Sequence, residues 1–141
     1  GGLISGIGCV LQSIYPQFQL TAVQSEASAF LYEIYHHGTQ GGVEELPSLA
    51  DGLAGPVEQG SVTVPIVKKV VTDFILVTEQ EIRKAIKYSW AKYHERIEGS
   101  AAVALASVIS GKISRRPSIA VMTGGNIAPA DFAQIIQDPS L

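Results

Sequence analysis

Cysteine is almost absent from this sequence, and long apolar runs are absent altogether. Cys9 is the single cysteine in 141 residues, so no internal disulfide can form, which is typical of proteins in a reducing cytoplasm. Because Cys9 lies in an apolar run, we predict that it is a small buried side chain. No apolar stretch approaches the roughly 20 residues that a membrane-spanning helix needs, and no signal-peptide pattern opens the chain. We therefore expect a cytoplasmic protein without a membrane partner.

Basic residues are also few. The chain has 10 lysines and arginines against 13 aspartates and glutamates, a formal net charge of −3, and no basic run. Nucleic acids are bound through clustered positive charge, so we expect no nucleic-acid partner. His36, His37 and His94 lack the spacing of metal ligands. No serine–histidine–acid arrangement for nucleophilic catalysis stands out.

Apolar residues in regular patterns are what the chain does contain. They make up 46% of the sequence against 16% charged residues, which indicates one well-packed α/β domain. The patterns predict helices up to about Ser13 and over Ser28–His37, Val64–Val71 and Ala101–Ile109, a helix starting at Thr78, and strands over Phe18–Gln24, Phe74–Val77 and Ser118–Met122. This alternation predicts a three-layer α/β fold with a mostly parallel sheet and helices on both faces.

The helix that starts at Thr78 has the strongest local signals. Thr78 and Glu81 form a capping box, in which each side chain accepts a hydrogen bond from the other residue's backbone. Glu79 and Arg83 are four residues apart and predict a solvent-exposed pair worth about 0.3 kcal/mol. The apolar stripe of this helix is predicted to consist of Ile82, Ile86, Trp90, Tyr93 and Ile97.

Three glycine-containing loops are candidate sites: Gly1–Leu3, Ala50–Ala54 and Thr123–Asn126. Ligands of open parallel sheets bind outside the carboxyl ends of the strands, where we expect these loops to lie. Gly1 and Gly2 precede a helix, so free backbone amides and the helix dipole would face an anion there. A plain turn is the alternative explanation of this glycine pair.

Taken in order, several motifs resemble the serine/threonine dehydratase family of fold-type-II pyridoxal-phosphate enzymes. The likeness covers nearly the whole chain, and no single motif is specific by itself. The motifs are Gly1-Gly2-Leu3-Ile4-Ser5-Gly6-Ile7, Gln24-Ser25-Glu26-Ala27-Ser28, Asp51-Gly52-Leu53-Ala54, Val77-Thr78-Glu79-Gln80-Glu81-Ile82, Glu98-Gly99-Ser100-Ala101-Ala102 and Met122-Thr123-Gly124-Gly125-Asn126. The resemblance implies the large domain of such an enzyme, with pyridoxal 5'-phosphate (PLP) as cofactor.

The resemblance also implies roles for individual residues. Gly1, Gly2 and the amide of Leu3 match the end of the family's phosphate-binding glycine loop. Thr123 matches the position whose hydroxyl meets the pyridine nitrogen, and Gly52 lies in the loop expected beside the ring. Glu98 matches a carboxylate near the cofactor, although a solvated acid that caps a helix is an equally good interpretation.

No catalytic residue can be assigned within the chain, because the family's cofactor-bearing lysine matches a position upstream of Gly1. The six lysines present lie on amphipathic or terminal helical stretches, where a solvated role is expected: Lys68, Lys69, Lys84, Lys87, Lys92 and Lys112. We therefore expect residues 1–141 to be one partial domain, the C-terminal part of a PLP-dependent catalytic domain, and to be inactive alone.

The resemblance implies an ammonia-lyase that converts serine or threonine to a 2-oxo acid and ammonia. Its partners would be a small amino-acid substrate and further copies of itself. Two alternatives stay open: a racemase or β-replacement enzyme of the same family, and a non-catalytic fragment that binds a ligand or a partner chain.

Divalent cations are not expected to bind. Metal-dependent members of the family have a glutamate and an aspartate where this chain has Gln24 and Phe30, so two hard oxygen ligands are lost. We predict that magnesium, calcium and manganese leave the melting temperature of the chain unchanged in a thermal-shift titration. A saturable rise at low cation concentration would show that other ligands form a site.

Overall fold

The computed structural model describes all 141 residues. The helices are α1 (Gly2–Ile14), α2 (Phe30–His37), α3 (Thr63–Val70), α4 (Glu79–Tyr93), α5 (Gly99–Ile109) and α6 (Pro129–Gln137), and the strands are β1 (Thr21–Ser25) and β2 (Asp73–Val77). Short 3₁₀ turns cover Glu26–Ser28 and Asp51–Leu53. None of the helices is both long and apolar enough to span a membrane.

The two strands pair in parallel, and helices cover both faces of the sheet. The register runs from Thr21 opposite Asp73 to Ser25 opposite Val77. Side chains alternate between faces, as expected for a strand. Ala22 and Phe74 join one buried cluster with α3, whereas Val77 joins another with α4 and α5. The predicted α/β class, with its parallel sheet between helices, is confirmed.

Helix α4 begins as predicted. The Thr78 backbone amide donates to the Glu81 carboxylate over 2.7 Å, and the Glu81 amide donates to the Thr78 hydroxyl over 3.1 Å. The predicted apolar stripe is confirmed at Ile82, Ile86 and Ile97, although Ile97 lies beyond the end of α4, and it is wrong at Trp90 and Tyr93. Ile82 and Ile86 are fully buried, whereas Trp90 is 38% exposed because the second half of the helix lies closer to the surface.

Two side-chain predictions were wrong. Glu79 does not pair with Arg83. The Glu79 carboxylate accepts hydrogen bonds from Ser25, Ser48 and Leu49 instead, and the Arg83 guanidinium lies 3.8 Å from the Asp138 carboxylate. Cys9 is exposed, because it lines an open groove between α1 and α3.

The predicted strand Ser118–Met122 was also wrong. These residues belong to no strand, and Ile119 is 84% exposed. An extended segment becomes a strand only where a neighbouring strand completes its hydrogen bonds, and neither β1 nor β2 pairs with this one. The sequence analysis also missed α6, whose first residue is Pro129 and whose Ile135 is fully buried.

A salt bridge connects the segment after α5 to the first turn of α4. Lys112 donates to the Glu81 carboxylate over 2.6 Å and to the Leu76 carbonyl oxygen over 3.0 Å. Burial opposes ionisation of Glu81, but the hydrogen bonds from Lys112 and Thr78 outweigh it and lower the pKa of Glu81 below its ordinary value. Glu81 therefore contributes stability at neutral pH that is lost as the pH falls through this lowered pKa.

Candidate functional site

The first turn of α1 presents free backbone amides to open space. The first helical hydrogen bond runs from the Ser5 amide to the Gly1 carbonyl oxygen over 3.0 Å, so the preceding amides are not used within the helix. A methyl group added at Gly2 would have no atom within 4 Å, whereas one at Gly1 would contact Val67 and Leu31. An anion can therefore approach the amide of Gly2 from solvent.

The first turn of α5 is packed against the long loop that follows α2. Gly99 is buried, and a methyl group added there would collide with the carbonyl oxygen of Leu49. The backbone of the loop therefore lies directly on the start of α5. Only glycine permits this approach.

A single carboxylate holds the same loop to the carboxyl end of the sheet. Glu79 accepts hydrogen bonds from the hydroxyls of Ser25 and Ser48, each over 2.6 Å, and from the Leu49 amide over 2.8 Å. Ser25 ends β1, and Glu79 opens the helix that follows β2. The loop is thus tied to both strand ends through one side chain.

Gly52 lies against the second residue of α5. A methyl group added at Gly52 would be 2.9 Å from the hydroxyl oxygen of Ser100. That oxygen is buried and has no hydrogen-bond partner within the chain. The turn that contains Gly52 therefore packs closely on α5 although its three residues are exposed.

Glu98, the N-cap residue of α5, holds the loop that follows Thr123. Its carboxylate accepts a hydrogen bond from the Asn126 amide over 2.8 Å, and its own amide donates to the Gly124 carbonyl oxygen over 3.2 Å. Gly124 has φ +126°, and a side chain there would collide with the Glu98 carboxylate. The side chain of Glu98 does not cap its own helix.

The candidate residues thus fall into two groups. Gly52, Glu98 and the loop of Thr123 meet at the start of α5. Gly1 contacts side chains of α2 and α3 instead. Thr123 is exposed, and its hydroxyl makes no hydrogen bond within the chain, so it is free to bind a ligand.

Sequence reasoning missed the residues that hold these loops in place. The sequence predicts an exposed ion pair for Glu79; Ser48 belongs to no motif, and Ser100 lies in a motif without a predicted role of its own. The one usable signal was the position of Glu79 in the first turn after a buried strand, where a carboxylate lies beside the strand ends. Among the lysines, Lys68, Lys69, Lys84 and Lys92 are exposed, in line with a solvated role.

Residues 1–124 match the protein family described as "Pyridoxal-phosphate dependent enzyme", and the chain belongs to this family. L-threonine dehydratase catabolic TdcB of Escherichia coli strain K12 is 34% identical over 139 residues, covering 96% of this chain and 42% of that protein. The chain therefore spans less than half the length of the curated relatives that it matches.

Solved structures agree with the family. Serine racemase from Dictyostelium discoideum has a TM-score of 0.76 at 32% identity, over 91% of this chain and 41% of that one. The processed form of threonine deaminase isoform 2 from Solanum lycopersicum has a TM-score of 0.84 over 100% of this chain and 42% of that one. At 24% identity the latter likeness shows the fold alone. The fold expected for part of a fold-type-II PLP enzyme is thereby confirmed.

The contact between α5 and the loop can be tested by adding one methyl group. We predict that Gly99→Ala destabilises the chain by about 3 kcal/mol, because the methyl group has to displace the Leu49 backbone. Gly6→Ala is the control, since Gly6 lies on the exposed side of α1 with no atom near the added methyl group. Urea unfolding measures both variants, and equal stabilities would show that the loop does not lie on α5.

Proposed function

We propose that this chain is the cofactor-holding part of a PLP-dependent ammonia-lyase that converts serine or threonine to a 2-oxo acid and ammonia. Residues 1–141 would form the C-terminal part of one catalytic domain, in a cytoplasmic enzyme. The observation that carries the proposal is the meeting of Gly52, Glu98 and the Thr123 loop at the start of α5, in a chain of the PLP family.

The residues present fit the phosphate of PLP. Gly1, Gly2 and Leu3 would hold it through the amides before the first helical hydrogen bond. Gly2 is suited to this role because nothing occupies the space where its side chain would lie. The positive end of the α1 dipole favours a dianion at the same point.

The residues at the start of α5 fit the ring. Thr123 would donate its unused hydroxyl hydrogen to the pyridine nitrogen, and Gly52 would lie beside the ring. Glu98 would act by holding the Thr123 loop, because its carboxylate is already bound to the Asn126 amide. The alternative interpretation, an acid whose side chain caps the helix, is wrong, because the Glu98 carboxylate makes no capping hydrogen bond to α5.

Bound PLP supplies an electron sink for the negative charge that develops at the α-carbon of an amino acid. Thr123 would keep that sink moderate, because a neutral hydroxyl stabilises a protonated ring nitrogen less than a carboxylate would. A moderate sink suits the loss of water from a β-hydroxy amino acid. The lysine that bears the cofactor would lie outside these 141 residues.

Racemisation of an amino acid is the second candidate function. It is favoured by the likeness to Dictyostelium discoideum serine racemase at 32% identity. Both reactions would use the same residues of this chain. They can be distinguished by incubating the active enzyme with L-serine and measuring D-serine against pyruvate.

A homo-oligomer is also part of the proposal. Leu3, Val10 and Ile14 follow one face of α1, and each is more than half exposed. We predict that the chain self-associates through this face and that Val10→Lys weakens the association at least five-fold, measured by sedimentation equilibrium. A monodisperse wild-type monomer at high protein concentration would contradict this.

The phosphate site is tested by placing a negative charge on it. We predict that Gly2→Asp weakens the binding of pyridoxine 5'-phosphate about ten-fold or more by charge repulsion. Pyridoxine 5'-phosphate is the suitable probe because it lacks the aldehyde that reacts with surface lysines. The same substitution should stabilise α1 by about 0.3–1 kcal/mol, since an acid is favourable in the first turn of a helix.

Gly6→Asp is the matched control for this experiment, one turn further along α1 at an equally open position. It should leave the affinity within about two-fold in isothermal titration, because the phosphate would lie beyond the helix end. If Gly2→Asp binds pyridoxine 5'-phosphate as tightly as wild type, the phosphate site is elsewhere and the proposed roles of Gly1, Gly2 and Leu3 are wrong.

The ring site is tested at Thr123. We predict that Thr123→Val keeps the shape, removes the donor and weakens pyridoxine 5'-phosphate binding by about 1 kcal/mol, or five-fold. Thr123→Ser should leave this affinity nearly unchanged, because it keeps the hydroxyl. Thr123→Asp should favour protonation of the ring nitrogen, which the absorption spectrum of the bound compound reports. If valine behaves like wild type in both affinity and spectrum, Thr123 is structural.

A further inference from the structure

Gln24 connects three separate segments through one buried side chain. It is the fourth residue of β1 and is 6% exposed. Its amide oxygen accepts a hydrogen bond from the Tyr32 backbone amide of α2 over 3.2 Å. Its amide nitrogen donates to the Leu53 carbonyl oxygen over 3.2 Å.

The orientation of this amide group is determined by its partners. The Tyr32 backbone N–H can only donate, and the Leu53 carbonyl can only accept, so the two ends of the Gln24 amide cannot be exchanged. Both ends are used, as a buried polar side chain requires. Glutamate has the same shape, but its ionised carboxylate has no hydrogen to donate to Leu53.

The turn that Gln24 reaches has little else to hold it from the sheet side. Asp51 and Gly52 are exposed and Leu53 is 37% exposed, so Leu53 is the one apolar side chain that the turn partly buries. The next hydrogen bond that joins this loop to another segment is donated by the Gly55 amide to the Ser28 hydroxyl over 3.0 Å. Ala50 anchors the start of the turn in the core at 1% exposure, and the bond from Gln24 anchors its end at Leu53.

The position of this turn matters because Gly52 has almost no clearance toward α5. The space for a side chain at Gly52 is closed by the Ser100 hydroxyl, 2.9 Å from where a methyl carbon would lie. The turn thus contacts Gln24 of the sheet through Leu53 and Ser100 of α5 through Gly52. Loss of the Gln24 bond would free the turn from β1 and so loosen its packing on α5.

We propose that Gln24 is a positioning residue that holds the Asp51–Leu53 turn against α5, so that Gly52 lies at the ring side of the cofactor site. The proposal rests on the proposed function for its consequence in binding. Its structural part stands on the two hydrogen bonds of the Gln24 amide.

Two variants of Gln24 distinguish the effect of its hydrogen bonds from the effect of its volume. Gln24→Glu keeps the acceptor for Tyr32 and removes the donor to Leu53, whereas Gln24→Met keeps the volume and removes both bonds. Gln40→Met is the matched control, because the Gln40 amide likewise makes two hydrogen bonds, to the amide and the carbonyl of Val57. Val57 belongs to the same long loop but lies beyond the Gly52 turn.

The first measurement is hydrogen exchange of the Ala54 and Gly55 amides in each folded variant. Both amides are bonded in the wild type, to the Asp51 carbonyl oxygen and the Ser28 hydroxyl. Both Gln24 variants should speed this exchange about ten-fold, as expected for the loss of one buried hydrogen bond. Gln40→Met should leave these two amides unchanged. Wild-type exchange rates in Gln24→Glu and Gln24→Met would overturn the proposal.

The second measurement compares the affinities for pyridoxine 5'-phosphate and for inorganic phosphate. Both Gln24 variants should bind pyridoxine 5'-phosphate about five-fold more weakly than wild type. Their affinity for inorganic phosphate should be unchanged, because phosphate would bind at α1 only. An equal loss for both compounds would indicate general damage to the fold and contradict a positioning role. If wild type binds neither compound, the proposed function is wrong, and hydrogen exchange alone decides whether Gln24 holds the turn.

Discussion

The missing side chain at Gly99 is the constraint on which the rest of the site depends. It lets the backbone at Leu49 lie on the first turn of α5, and Glu79 holds the same segment to both strand ends. With the loop fixed there, Gly52 packs on Ser100 a few residues further along. Polar and steric contacts at one helix start, together with the burial of Ala50 in the core, thus bring distant parts of the chain together.

The elements with local signals were the ones that could be predicted from the sequence. The capping box of Thr78 and Glu81 lies within four residues, and Gly38 adopts φ +80° to end α2. The segment Ser118–Met122 has a β-strand composition but no strand beside it, and composition alone does not supply a hydrogen-bond partner. The bond from Gln24 to Leu53 spans 29 residues, so no local pattern reveals it. Motif order predicted which loops form the candidate site, whereas the residues that hold those loops emerged only from the fold.

The two groups of candidate residues have different physical characters. At α1 the ligand-facing groups are backbone amides at a helix start, which favour a phosphate of any origin. At α5 the candidate groups are the unused hydroxyl of Thr123 and glycines that let the surrounding loops pack closely on the helix. Membership of the PLP family is the evidence for the cofactor. The proposed function assigns the phosphate to the α1 group and the ring to the α5 group.

The most direct test of this account is to follow every backbone amide by NMR while pyridoxine 5'-phosphate is added. The account predicts shifts at Gly2 and Leu3, and at Gly52 and Thr123–Gly125, with the same saturation curve. Inorganic phosphate should shift only the α1 group. Shifts confined to the groove between α1 and α3, which is lined by Cys9 and Lys69, would contradict it. So would two groups of amides that saturate at different ligand concentrations.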